Sequence, residues 1–309
     1  MEVAGATSIP VQTLPRSKTP TVPPRYIQRP EHRPGPTSAA ATIPLIDLSL
    51  SCDAVRGDIA GACREWGAFN VLNHGVPKQL LDEMRTVGSS FSDLNVSGKL
   101  KYSCDSSSAA SEGYGRIGGI TLIIILSPFL AGDPPAGQFT LPIAVPFCGV
   151  KRKFDECNVR KSNFLKNITV SYYPPCPQPE LTLGLQSHSD IGAMTLLIQD
   201  DVSGLEVLKD GEWVIVQPSS DAVVVLLADQ TEVITNGEYK SAIHRAITNA
   251  SRARLSVATF HDPVKTRIIS PAPELVAKSA AHCREVLYGD FVTAWYSEGP
   301  EGKRNLDAL

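Results

Sequence analysis

Seven consecutive apolar residues, Ala222–Ala228 (AVVVLLA), constrain this chain more than any other stretch. The run has no polar face and is rich in β-branched valine, so it reads as a central strand covered on both sides. Such a strand needs partners, and the surrounding sequence supplies them. ITVSYY from Ile168, Met194–Gln199, Leu205–Lys209 and Glu212–Gln217 are all strand-like. Asp210–Gly211 between the last two is a strong hairpin signal. Thr231–Thr235 is expected to pair, across Asn236–Gly237, with a strand carrying His244. Arg254–Phe260 alternates, with Arg254, Ser256, Ala258 and Phe260 on one side and Leu255, Val257 and Thr259 on the other. Many short strands with hairpin turns make a sandwich or barrel, and here a jelly roll with a site in its mouth is expected.

The rest of the chain surrounds this core. Residues 1–41 are rich in proline and are expected to form an extended, flexible arm, which Tyr26 and Ile27 dock. Residues 42–115 carry a short strand (IPLIDL, Ile43–Leu48), a helix over Asp58–Trp66, and a strand from Ala68 ending in a turn at Asn73–Gly75. A second helix opens at Pro77, with Leu80, Leu81, Met84, Val87 and Phe91 marking its buried side. His74, beside a glycine at a strand end, is expected to have a structural role. Residues 116–160 have neither helical periodicity nor strand alternation, and glycine and proline interrupt them repeatedly. Residues 161–265 hold the β core. Residues 266–309 return to a helix around Arg284–Tyr288 and end in a polar tail.

The candidate site lies in the core. His188 and Asp190 are one residue apart and can aim at one point on an extended strand. His244 arrives from a distant strand, and the small residues Ala242 and Ala246 beside it leave room. Two histidines and one carboxylate with open positions form the facial triad of non-haem Fe(II) oxygenases, although zinc accepts such ligands too. Arg254 offers a planar fork that matches a carboxylate bidentately. Ser256 on the same face adds a hydroxyl, and Tyr173 a second. A 2-oxo acid would fill two of the open metal positions and O2 the third.

Composition closes off other classes. The net charge of −3 gives no basis for a nucleic-acid partner. No apolar run reaches the length of a membrane span, and no charged-then-apolar leader begins the chain. The seven cysteines are irregularly spaced with no CxxC pair, as expected of reduced thiols in a cytoplasmic protein.

Longer motifs carry a family resemblance. SYYPPCPQPELTLGLQSHSD, GLEVLKDGEWVIVQP, LLADQTEVITNGEYKSAIHRAITN and RARLSVATF closely resemble the plant 2-oxoglutarate- and Fe(II)-dependent dioxygenases, the group of flavonol synthase, anthocyanidin synthase and jasmonate-oxidising enzymes. IPLIDL, ACREWGAFNVLNHGVP, and GKLKYS with EGYG are similar to that family's N-terminal region. The resemblance implies a mainly β fold with flanking helices around a double-stranded β-helix (cupin-like) core. It implies iron ligands at His188, Asp190 and His244, 2-oxoglutarate contacts at Arg254, Ser256 and Tyr173, and a substrate-lining ring at Phe260. It implies Fe(II), 2-oxoglutarate and O2 as reactants, with ascorbate as reductant, in a monomeric enzyme of plant secondary metabolism. 2-Oxoglutarate would be decarboxylated to succinate while a small molecule, a flavonoid or other phenolic before a jasmonate or another hormone, is hydroxylated or desaturated. Ser171 stands where many relatives have asparagine, and Ala68 replaces a usual phenylalanine. Residues 116–160 resemble nothing in the family, and we read them as translated intron or a faulty gene model. That reading leaves an inactive, truncated member that only binds metal or ligand as the alternative.

Overall fold

The computed structural model describes residues 20–35, 41–102, 113–117, 120–126, 164–277 and 280–298. Two sheets carry the fold. The larger has the strand order β1 (Leu45–Asp47), β2 (Ala68–Leu72), β10 (Val223–Leu227), β7 (Met194–Gln199), β12 (Arg254–Pro263), β5 (Phe164–Tyr173), β4 (Ile120–Leu126) and β3 (Gly113–Ile117). The smaller has the order β6 (Leu183–His188), β11 (His244–Ile247), β8 (Leu205–Lys209) and β9 (Glu212–Ile215). Only β1 and β2 pair in parallel within these sheets; their other pairings are antiparallel. This is the expected mainly β architecture with a double-stranded β-helix core.

Strand β10 is buried at every position and lies between β2 and β7. Its two faces serve different layers. Val224 and Leu226 pack with Leu197, Ala258, Leu205, Val207 and Val216 in the core between the sheets. Val223, Val225 and Leu227 pack outward with Val55, Ile59 and Cys63 of α1 (Cys52–Glu65) and Leu81 of α2 (Lys78–Asp93), which the short α3 (Val96–Leu100) follows. The continuous apolar run is thus explained by two separate layers of cover. The expected hairpin at Asp210–Gly211 forms, with both residues at positive φ (50° and 86°), the backbone a type I′ turn requires. His74 has the structural role expected of it: its ring nitrogens meet the Asp221 carbonyl at 3.2 Å and the Val76 N–H at 3.2 Å.

Several expectations need correction. Thr231–Thr235 does not pair as a strand. Asp229–Ile234 is a helix, α4, and Asn236 (φ 52°) and Gly237 (φ 78°) close it. Gly237 N–H bonds Glu232 O and Asn236 N–H bonds Val233 O, the paired bonds of a Schellman cap. Asn-Gly served a helix end here and not a hairpin, because both need the same left-handed backbone.

The inner face of α2 is also different. Leu81, Gly88 and Ser92 are buried, whereas Val87 is 68% exposed and Leu80 40%. A Cβ on Gly88 would lie 2.9 Å from both Leu255 and Val170, so the missing side chain is what lets the helix lie close on β12 and β5. The helix expected around Arg284–Tyr288 is replaced by β14 (Val286–Leu287), paired with β13 (Ile268–Ile269), and a helix begins only at Tyr288, running to Glu298. Residues 116–160 are not irregular from their start. Arg116–Ile117 ends β3 and Ile120–Leu126 is β4, which extends the larger sheet beyond β5. Residues 118–119 and 127–160, most of residues 1–41 and the tail from 299 lie outside the described residues.

Leu226 is 1% exposed in the layer between the sheets. Replacing it with alanine should cost about 2–5 kcal/mol of stability in urea unfolding, whereas Val87→Ala on exposed α2 should stay within about 0.5 kcal/mol.

Candidate active site

The two histidines face each other as a cross-strand pair. His188 ends β6 and His244 begins β11, and their Cα atoms are register partners. Their rings are 4.3 Å apart between centroids. Each ring is oriented from behind by a backbone carbonyl two residues earlier: His188 Nδ1 meets Gln186 O at 2.8 Å, and His244 Nδ1 meets Ala242 O at 3.0 Å. A carbonyl only accepts, so Nδ1 carries the proton and Nε2 is left with its lone pair forward.

Asp190 meets both Nε2 atoms with one oxygen. Its Oδ1 lies 3.6 Å from His188 Nε2 and 3.8 Å from His244 Nε2. These separations are too long for hydrogen bonds. The other oxygen, Oδ2, accepts a hydrogen bond from the Thr195 hydroxyl. Three donor atoms within 4.8 Å of one another, all buried, with their second atoms tied to the protein, suit a divalent metal ion. Burial would raise the Asp190 pKa, but His244, His188 and Thr195 outweigh it and hold the carboxyl down at about 2. Burial and the neighbouring His188 push His244 down to about 4, which keeps the ring neutral. Burial also opposes protonation of His188, but Asp190 more than offsets this and the ring titrates above its ordinary value. A bound cation would reverse that preference, because it takes the place of the proton.

Asp190 is not on a strand with His188, contrary to the expectation, since β6 stops at His188. The loop from Asp190 to Ala193 is held by the start of α4 instead. Asp229 N–H bonds Asp190 O, Gln230 N–H bonds Gly192 O, and Ala228 N–H and the Thr231 hydroxyl bond Ala193 O. The Gln230 amide adds a bond to Ile191 O at 3.0 Å.

The arginine stands further along the same interior. Arg254 and Tyr173 are register partners on β12 and β5, and the guanidinium lies 5.2 Å from the centre of the Tyr173 ring. Arg254 is 3% exposed and donates from Nη2 to Gln199 Oε1 at 2.8 Å. Its Nε is buried with no hydrogen-bond partner, and among the described residues it makes no ion pair. Asp200 is near enough to feel its charge, but a buried guanidinium with an unmet donor and no carboxylate in hydrogen-bond contact is still costly unless an anion joins it. Ser256 pairs with Ser171 and Gln199 one step inward, and Phe260 with Asn167 and Thr195. Two glycines make room for the arginine–tyrosine stack: a Cβ on Gly184 would be 2.5 Å from Tyr173 Cδ1, and one on Gly204 would be 2.7 Å from Arg254 Cδ.

Residue reading missed Thr195, Gln199, Gly184 and Gly204. Thr195 and Gln199 had a signal in the alternation of β7, where they share a face with Leu197. The glycines had none, because their role depends on the partner across the sheet.

Beside His244, Arg245 and Glu206 form an ion pair at 2.6 Å with side chains 5% and 0% exposed, and the Arg245 guanidinium lies 4.0 Å from the Trp213 ring centre. Removing the carboxylate strands a buried cation. Glu206→Ala should therefore lower stability by about 3–5 kcal/mol in urea unfolding.

Comparison with known proteins agrees with this geometry. The profile of the 2OG-Fe(II) oxygenase superfamily matches residues 165–263. A second profile, the N-terminal region of non-haem dioxygenases in morphine synthesis, matches residues 43–122. Jasmonate-induced oxygenase 2 of Arabidopsis thaliana is 34% identical, covering 96% of this chain and 92% of its own length. Feruloyl CoA ortho-hydroxylase 2 of the same plant is 32% identical over 86% of this chain and 82% of its own. Oxoglutarate-dependent flavonoid 7-O-demethylase 1 of Ocimum basilicum is 30% identical over 97% and 90%. The crystal structure of JOX2 in complex with 2OG, Fe and JA superposes with a TM-score of 0.82 at 31% identity, covering 98% of both chains. With that coverage at both ends and a buried donor triad in the barrel mouth, the chain belongs to the 2OG-Fe(II) oxygenase superfamily and is a plant 2-oxoglutarate-dependent dioxygenase.

Proposed function

We propose that His188, Asp190 and His244 hold the Fe(II), and that Arg254, Ser256 and Tyr173 take the far carboxylate of 2-oxoglutarate. The observation that carries this is Arg254, a buried guanidinium with an unmet Nε donor and no ion pair among the described residues, on the same inner surface as the triad. The spacing supports it. Gly204, which abuts Arg254, bonds to Ile247, three residues along β11 from His244. At about 3.3 Å per residue that is roughly 10 Å along the strand, a span a short dicarboxylate bridges with one end at the metal.

Bound there, Fe(II) supplies the activation of O2. The protein's own part is orientation. The carbonyls of Gln186 and Ala242 fix the imidazoles, Thr195 fixes the carboxylate, and Arg254 fixes the far end of the co-substrate before O2 arrives. Arg254 is itself held by Gln199 and by the Tyr173 ring. The intact triad and the unmet Nε donor of Arg254 favour an active enzyme over an inactive family member.

For the second substrate we propose a small plant metabolite with an aromatic ring, a flavonoid or other phenolic. Phe260 supports this: it is half-buried, on the inner face of β12, and register partner of Thr195, which holds the Asp190 carboxylate. Relatives named for feruloyl CoA and a flavonoid point the same way. A jasmonate is the second reading, favoured by the similarity to JOX2 with JA. No helix among the described residues is long and apolar enough to cross a membrane. Cys52, Cys63 and Cys176 are not in disulfides, which supports a reducing compartment such as the cytoplasm.

The test is succinate formation from 2-oxoglutarate with Fe(II), screened over phenolics, flavonoids and jasmonate. His188→Ala should abolish turnover. Arg254→Ala should raise the KM for 2-oxoglutarate by about tenfold to a thousandfold, since each charge-assisted hydrogen bond contributes about 1.5–3 kcal/mol. Wild-type turnover that survives Arg254→Ala unchanged would remove the arginine from the site.

A further inference from the structure

Thr195 does more than pack. We propose that its hydroxyl is a positioning group that limits Asp190 to one metal-facing oxygen and so keeps a coordination position open for the co-substrate. This rests on the metal site proposed above and concerns a residue outside the ligand set.

The geometry is specific. Asp190 Oδ1 faces both histidine Nε2 atoms, at 3.6 and 3.8 Å, while Oδ2 is turned away and bound by the Thr195 hydroxyl. A carboxylate is free to bind a metal through one oxygen or both. A tilt of the carboxylate in its own plane, bringing Oδ2 round to the metal, separates the two modes, and that tilt would pull Oδ2 away from the Thr195 hydroxyl. The donor itself cannot follow. Thr195 is 2% exposed and lies on β7, which is paired on both sides: Thr195 is opposite Leu226 of β10 and Phe260 of β12. Its β-branched side chain has few rotamers to choose from. The Asp190 backbone is fixed as well, by the Asp229 N–H on its carbonyl.

The consequence concerns coordination number. Two imidazoles and one carboxylate oxygen would fill three positions of a six-coordinate ion and leave three. A chelating 2-oxo acid needs two and O2 needs one. A second Asp190 oxygen would occupy one of these and compete with the co-substrate, while adding a bond to the metal. Loss of the hydroxyl therefore has opposite expected effects on the two ligands, which mere loosening of the site would not produce.

The experiment uses the full-length protein loaded with Co(II), whose visible absorption reports coordination, and measures Co(II) and 2-oxoglutarate affinities by calorimetry without any turnover. Thr195→Val removes the hydroxyl at nearly constant volume. It should bind Co(II) at least as tightly as wild type, bind 2-oxoglutarate about tenfold or more weakly, and show a changed Co(II) spectrum before the oxo acid is added. Thr195→Ser, which keeps the hydroxyl, should restore wild-type 2-oxoglutarate affinity, and Thr195→Ala serves as the hydroxyl-free variant if valine does not fold. Equal weakening of both ligands, or wild-type 2-oxoglutarate affinity without the hydroxyl, would overturn the proposal. Failure of wild-type protein to bind Co(II) would instead sink the metal-site assignment itself, along with this inference.

Discussion

The antiparallel pairing of β6 with β11 is the constraint on which the site depends. It sets His188 directly against His244, so the two rings converge because their backbones are opposite each other. The local backbone then supplies the carbonyls that orient both rings, since each histidine uses the peptide oxygen two residues before it. One register step would turn a ring to the other face of the sheet and end the convergence. Arg245–Glu206 and Val207 hold the far side of β11 against β8 at the same level. The smaller sheet thus serves as the rigid plate on which the imidazoles are mounted.

The larger sheet contributes the other half of the site. Its strands β5, β12 and β7 present Tyr173, Arg254, Ser256, Gln199 and Phe260 inward while Val170, Leu255, Val257, Leu196 and Ile198 hold the outer layer under α1 and α2. Each strand therefore has two jobs with period two. The outer apolar layer makes the sheet stiff, and that stiffness is what keeps polar groups on the inner face where a ligand can use them. Asp190 joins the two sheets. It follows the last residue of β6 by two, yet its carboxylate is held from β7 and its carbonyl from α4.

Much of this was legible in the residues because it is written with short periods. The Val/Leu run of β10, the Asp210–Gly211 turn and the alternation of Arg254, Ser256, Ala258 and Phe260 each need only a few neighbours in sequence to interpret. The three triad residues could be picked out for the same reason. What escaped depends on distant partners. Thr231–Ile234 is helical because residues 228–230 must turn their N–H groups, and Thr231 its hydroxyl, onto the 190–193 loop, a demand invisible at either location alone. Val87 looked buried by its spacing, but Gly88 lets the other side of α2 approach the sheet more closely. The backbone of Ile120–Leu126 found an open sheet edge at β5, which compensates for a pattern with no polar face.

Charge counting connects the two ends of the proposed site. Two neutral imidazoles and the Asp190 carboxylate give the protein ligands a net charge of about −1, with Asp190 held ionised by its neighbours. A divalent cation there leaves +1, and Arg254 adds another +1 in the same buried interior, offset in part by the half-buried Asp200 carboxylate near it. The positive charge that remains is costly to bury, because an ion loses its hydration there. A dicarboxylate offers one negative end to each positive centre, which neither a monocarboxylate nor an uncharged metabolite does. Metal and 2-oxoglutarate bound together thus cost less than the metal alone. The organic substrate, which we place against Phe260 and not Arg254, would then enter a cavity whose charges are already largely paired. On this account the protein can vary the substrate-facing wall without disturbing the charges that hold the co-substrate.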